Sequence, residues 1–119
     1  MNPNDILERI FHEPSRMAIM SALCASDEGL TFTELKDSCN LTDGNLSRHL
    51  KALEEAEAVR IEKTFVGVKP RTTVRLTATG LARFREYLNA LEEVLEKARQ
   101  ALPTPRKTTA LFAARPVRT

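Results

Sequence analysis

Tryptophan is absent from this chain of 119 residues, and cysteine and glycine are scarce at two and four. Cys24 and Cys39 stand too far apart for a metal-binding pair and outside any secreted disulfide framework. Both are therefore expected to pack as buried small apolar side chains. The few glycines build no phosphate cradle, and neither paired carboxylates nor a metal-spaced Cys/His cluster occurs, so neither an enzyme nor a cofactor or metal site is expected. Ser47 and His49 do not amend this, because neighbours two apart on a helix diverge and no third residue orients them. His12 is a lone histidine at a helix boundary. No apolar run approaches the roughly 20 residues of a membrane-spanning helix. The N-terminus carries acids where a signal peptide has its apolar core, which predicts a cytoplasmic protein.

What the chain does have is a composition of 42% hydrophobic and 29% charged residues, enough to exclude wholesale disorder and to build one small domain. Its net charge of +2 conceals a segregation. Residues 1–42 are acidic, with Asp5, Glu8, Glu13, Asp27, Glu28, Glu34 and Asp37 against Arg9, Arg16 and Lys36. From Ala58 to Arg75 the sign reverses, with Arg60, Lys63, Lys69, Arg71 and Arg75 against Glu62 alone. A local basic stripe is what phosphate-backbone binding needs, since affinity comes from local counterion release. A solvated charged face gives the same pattern, and charge alone does not choose between them.

The stretch from Thr42 to Glu54 does choose. At 100° per residue Leu46, Leu50 and Leu53 form a narrow stripe, while Gly44, Arg48 and Lys51 cluster opposite, flanked by Asn45 and Ser47. Arg forks onto guanine, Asn pairs both ways with adenine, and Ser and Lys bond phosphates, so the outer face is that of a recognition helix. His49 projects between the two faces and is expected to be half-buried packing.

Two helices divided near Pro14 are predicted ahead of it. The first carries Ile6, Leu7, Ile10 and Phe11, and the second Met17, Ile19, Met20, Leu23 and Cys24. A short third helix opens after Asp27, Glu28 and Gly29. Thr31 with Glu34 fits a capping box there, yet Thr33 is an equally legal cap that frees Leu30 to Phe32 for a small strand. Thr42 caps the recognition helix, which should run to about Glu57. Val59–Val66 and Thr72–Leu76 alternate as strands, and 67–71 between them carries the Gly and Pro of a hairpin tip. A basic hairpin after a recognition helix is a wing.

Thr77 caps a final helix over 78–101. In it Leu81, Phe84, Leu88, Leu91, Leu95, Ala98 and Leu102 recur at alternating steps of three and four, a sustained heptad. A helix of about 36 Å, at ~1.5 Å per residue, exceeds what a small core can cover. The seam is therefore expected to bury itself against a second copy, the alternative being the chain's own first helix, and both can hold along its length. Domain boundaries follow: 1–102 for the winged helix with its dimerisation helix (78–102), and 103–119 for a tail. The tail holds Arg106, Lys107, Arg115 and Arg118 without acids. It reads as a flexible basic end, the alternative being a DNA-contacting arm, and Leu111 with Phe112 are candidates for docking.

This order of elements, with the text from Leu41 to Ala56 and Gly67-Val68-Lys69-Pro70-Arg71-Thr72, resembles the small winged-helix transcriptional regulators of the MarR/ArsR superfamily over about residues 5–100. The fold class expected is mainly α with a small β-hairpin (α+β), a winged helix-turn-helix with a long C-terminal dimerisation helix. The resemblance implies a homodimeric, sequence-specific regulator of double-stranded DNA, a repressor, on a near-palindromic operator with its recognition helices about 34 Å apart. It implies that Asn45 and Arg48 read bases and that Ser47 and Lys51 hold phosphates. Gly44 would permit close approach, and Lys69 and Arg71 at the wing tip would meet the minor groove. The alternative is a winged-helix protein-interaction module, which the basic residues at 48, 51, 69 and 71 disfavour. No residue singles out a small-molecule effector, and the cysteine spacing of the metal-sensing branch is absent. Two departures stand out. Glu57 and Ala58 replace the usual Gly and aromatic residue, so the helix exit is expected to lack its left-handed cap. Val68 stands where a basic residue is common.

Overall fold

The computed structural model describes residues 8–104, so Ile6 and Leu7 of the predicted first helix and the tail from Pro105 lie outside the described residues. The described chain opens with a turn in which the Phe11 and His12 N–H groups both donate to the Glu8 carbonyl. Helix α1 (Pro14–Cys24) follows, with Pro14 in its first turn and the Glu13 carboxylate accepting from the Arg16 N–H at 2.9 Å. Strand β1 (Leu30–Thr31) leads into α2 (Phe32–Cys39). Both sequence alternatives are realised in part there. Thr31 and Glu34 form the capping box, and Leu30–Thr31 nevertheless pairs with a later strand.

Helix α3 (Asp43–Glu55) is capped by Thr42, whose hydroxyl accepts from the Asn45 N–H at 3.2 Å. Strands β2 (Val59–Val66) and β3 (Lys69–Leu76) make the hairpin, and α4 (Ala78–Ala101) closes the described chain behind its Thr77 cap. The antiparallel sheet has the order β1-β3-β2. Val59 pairs with Leu76 and the register holds out to Val66 against Lys69. The turn is therefore Gly67-Val68 alone, two residues against the five expected. Gly67 takes a φ of 65°, as the first position of a II′ hairpin turn requires. Pro70 fits inside β3 because β1 covers only Thr73 and Val74, leaving that edge free of a neighbour that needs its N–H.

The core joins Ile19, Met20 and Leu23 of α1 to Leu35 of α2, the leucine stripe of α3, and Val59 and Val74 of the hairpin. At its far end Phe11, Phe84 and Tyr87 pack ring against ring, with centroids 5.4 to 6.0 Å apart. The Tyr87 hydroxyl is 2.9 Å from His12 Nδ1 and donates to Met17 Sδ at 3.3 Å.

Three expectations need correction. Cys24 is exposed, because the buried side of α1 is centred on Ile19, Met20 and Leu23 and Cys24 falls about 90° from its middle, whereas Cys39 is half-buried and does pack against the core. Phe84, assigned to the dimer seam, is 2% exposed within its own protomer's core, and Leu91 is half-buried against that core. The leucines that stay outside are Leu81, Leu88, Leu95 and Leu102. Finally, α3 does end in a left-handed cap, made by Glu57 itself at φ 61°. The Glu57 N–H donates to the Glu54 carbonyl and the Ala58 N–H to Leu53, both at 2.9 Å, the Schellman pattern, with Ala58 and Leu53 buried together.

Candidate nucleic-acid interface

The candidate surface is built outward from the buried side of α3. Leu46, His49, Leu50 and Leu53 are buried beneath it, and the 3.6-residue period then forces Gly44, Asn45, Ser47, Arg48 and Lys51 into solvent. His49 is more deeply buried than its expected half-buried place, at 8% exposure. Arg48 Nη2 donates to Asn45 Oδ1 at 3.4 Å, so the two candidate base readers stand side by side, one helical turn apart. A Cβ added at Gly44 would meet open space, so nothing inside the protomer requires the missing side chain there.

Contacts from other elements fix the angle of α3. At its start Asp43 takes a 2.9 Å ion pair from Lys36 of α2, and this hydrogen-bonded carboxylate raises the Lys36 pKa. At its exit three successive carbonyls are held by α4. Arg83 donates to the Ala56 carbonyl at 2.6 Å, and the Thr77 hydroxyl lies 2.7 Å from the Glu57 carbonyl and 3.2 Å from that of Ala58. Arg83 is itself anchored on Glu8 at 2.7 Å and over the Phe11 ring at 5.6 Å. The guanidinium's pKa is raised further by the Glu8 hydrogen bond.

The hairpin stands beside α3, and between them runs a groove of about 380 Å³ whose walls include Ser47 and Lys51 on one side and Ile61, Lys63 and Thr72 on the other. The structure thus gathers two of the candidate phosphate ligands with Lys63, a residue absent from the expected site. Strand parity carries the signal for it: Lys63 lies two residues beyond the inward-facing Ile61, and its cross-strand partner is Thr72. Lys69 and Arg71 are placed differently from expectation. They sit on β3 opposite Val66 and Thr64, not in the tip, and they line a second groove along the free edge of β3 with Thr31, Phe32 and Thr33. The tip itself is Val68, 93% exposed, with Phe65 and Val66 behind it. Among the described residues no group of His, Cys, Asp and Glu side chains forms a metal-binding cluster, and no helix is long and apolar enough to cross a membrane.

Comparison with known proteins finds relatives of this fold. An uncharacterised protein of Methanocaldococcus jannaschii is 38% identical over 80 residues, covering 67% of this chain and 86% of that protein. Among solved structures, a transcriptional regulator homologue from Pyrococcus horikoshii matches at 28% identity and a TM-score of 0.72, over 80% of this chain and 94% of its own. A MarR-family transcriptional regulator from Silicibacter pomeroyi shares the fold at 23% identity and a TM-score of 0.58, over 93% of this chain and 75% of its own. Residues 15–95 match a family described as Winged helix DNA-binding domain, a family of DNA-binding proteins and not of enzymes. The chain belongs to that winged helix DNA-binding family.

Proposed function

We propose that this chain is a cytoplasmic, sequence-specific regulator of transcription that binds double-stranded DNA as a homodimer and represses by occupying a near-palindromic operator. The observation that carries the reading is the outer face of α3, where Asn45, Ser47, Arg48 and Lys51 are all exposed over a fully buried leucine stripe. Such a face enters the major groove with Arg48 and Asn45 toward base edges and Ser47 and Lys51 toward the backbone. Gly44 brings the first turn of the helix close to the duplex. Lys63, Lys69 and Arg71 extend the cationic surface onto the hairpin, where three acids would be needed to cancel them and only Glu62 occurs, already paired with Arg75 at 3.3 Å.

The test is selection of bound sequences from random duplex DNA at fixed salt. An inverted pair of half-sites about one DNA turn, ~34 Å, apart is the expected product. Arg48→Ala should then cost about 1–3 kcal/mol and relax specificity, whereas Lys51→Ala should weaken all sequences alike and flatten the salt dependence. Unchanged affinity for the selected site in both variants would remove the assignment.

A further inference from the structure

The far end of the wing is apolar, although the hairpin behind it is basic. Phe65, Val66 and Val68 are 73%, 54% and 93% exposed. The two-residue turn leaves Val68 projecting beyond every hydrogen-bonded pair of the ladder. Lys69 and Arg71 step back from the tip along β3, and Lys63 does so along β2. A surface that complements this arrangement has anions on both rims and a floor that tolerates an apolar contact. The minor groove of a DNA duplex has that form, with phosphates along each edge and base edges beneath.

We propose that the wing tip reads the minor groove by apolar exclusion. Val68, supported by Phe65 and Val66, lies over A·T pairs flanking each recognition-helix contact and rejects G·C pairs there. The chemistry rests on one exocyclic group. Both kinds of pair present the acceptors N3 and O2 on the groove floor, but guanine adds a protruding N2 amino donor where adenine has only C2–H. A valine methyl packs on C2–H. Set over the amino group, it displaces the donor's water and offers no acceptor in return, and that is the costly way to bury a polar group. Lys63, Lys69 and Arg71 hold the hairpin to the phosphate rims and carry none of the sequence preference. Val68, the departure from the family pattern, thus exchanges charge at the tip for a base preference.

The inference rests on the DNA-binding reading above, and one duplex series tests the two separately. The full chain is titrated against its selected core sequence flanked by A·T, by G·C, or by inosine·cytosine, which keeps the G·C major groove and deletes the N2 amino group. Affinity for the A·T and inosine flanks should agree within about twofold, and the G·C flank should bind about tenfold more weakly, the ordinary cost of one unsatisfied donor. In Val68→Ser the hydroxyl accepts from the amino group, so the G·C penalty should fall below about twofold with the salt dependence unchanged. This position touches no core residue, so the hairpin's fold is not at risk.

Equal affinity for all three flanks overturns the wing inference and leaves α3 as the reader. An inosine flank that binds like G·C overturns it too, since the N2 group is then not what is read. A penalty that survives in Val68→Ser assigns the preference to groove shape, not apolar contact. Failure to bind the core in any duplex removes the DNA reading itself and the wing inference with it.

Discussion

His49 is the one buried histidine among the described residues, and its surroundings make it the pH-sensitive point of the recognition helix. Burial pushes its pKa below the ordinary 6.5, Glu13 partly opposes that, and Arg16 and Arg48 add to it. Nδ1 lies 3.7 Å from Glu13 Oε2, beyond hydrogen-bond reach, so the carboxylate does not restore the lost solvation. The unfolded chain therefore takes up a proton that the folded chain resists. His49's contribution to stability is complete above the unfolded pKa and is lost as pH falls from there through the lower folded value. Glu13 acts in a separate and more acidic window. Burial raises its pKa, but the Arg16 and Ser15 N–H groups and the charges of His49 and Arg16 outweigh that and hold it below 4.5. Urea unfolding at about pH 7.5 and about pH 5.5 should show a fall in midpoint that shrinks in His49→Gln. An equal fall in both proteins would place the titration elsewhere. Glu57 offers a second measurement at this scale. Its left-handed conformation strains an L side chain by about 1–2 kcal/mol, and glycine's greater unfolded-state freedom returns only part of that. Glu57→Gly should raise stability by about 0.5–1 kcal/mol, read as a higher melting temperature.

The junction of α3 with α4 is the element-level counterpart of that cap. Gly80, in the first turn of α4, lies directly against the Ala58 backbone, and a Cβ there would run into the Ala58 carbonyl. No flexible side-chain end can give way, so the two elements themselves must separate. Gly80→Ala should cost about 1–3 kcal/mol, the range for overpacking a fitted contact, despite alanine's better helix propensity. Thermal unfolding checks this, and a stability equal to wild type would refute it. Much at this scale was legible in sequence. Thr42 and Thr77 announced their helices through local hydrogen bonding, and the leucine stripe of α3 through its period. What was not legible depended on contacts distant in sequence. The heptad of α4 allows both a second copy and the chain's own N-terminal segment as its partner, and spacing alone could not assign Phe84 to Phe11, because a seam facing a core and a seam facing a second copy obey the same spacing. The position of Lys69 and Arg71 is hidden in the sequence for a different reason. Gly and Pro both mark turns, and only the register shows that Gly67 makes the turn while Pro70 sits on a free strand edge.

At the scale of the whole molecule α4 is longer than the core that supports it. Its buried residues are Gly80, Phe84, Tyr87 and Ala90, so the helix continues through three further turns with no buried side chain. On this unsupported length and the turns before it Leu81, Leu88, Leu95 and Leu102 are 39%, 41%, 44% and 66% exposed. They recur every seven residues, which on an α-helix drifts only about 20° per repeat and keeps them in one stripe, roughly 90° round from the side that faces the protomer's core. No core side chain supports these last turns, and a continuous exposed leucine stripe of this kind is the sort of surface that marks an interaction site. In the proposed dimer a second copy of the same stripe covers it over a matching length, and each leucine so buried would contribute on the order of 1.5–3 kcal/mol. Phe84 and Leu91 face the protomer's own core, and in the proposed dimer the four outer leucines with Ala98 are the residues that face the partner. Light scattering should report a dimer at micromolar concentration. Leu88→Asp combined with Leu95→Asp should yield a folded monomer, because neither leucine belongs to the buried core. That monomer should also lose most of its affinity for a two-half-site operator while keeping weak binding to one half-site, since the second contact is no longer delivered at high effective concentration. A wild-type monomer at micromolar concentration, or a dimer that survives both substitutions, would show that the stripe serves another purpose.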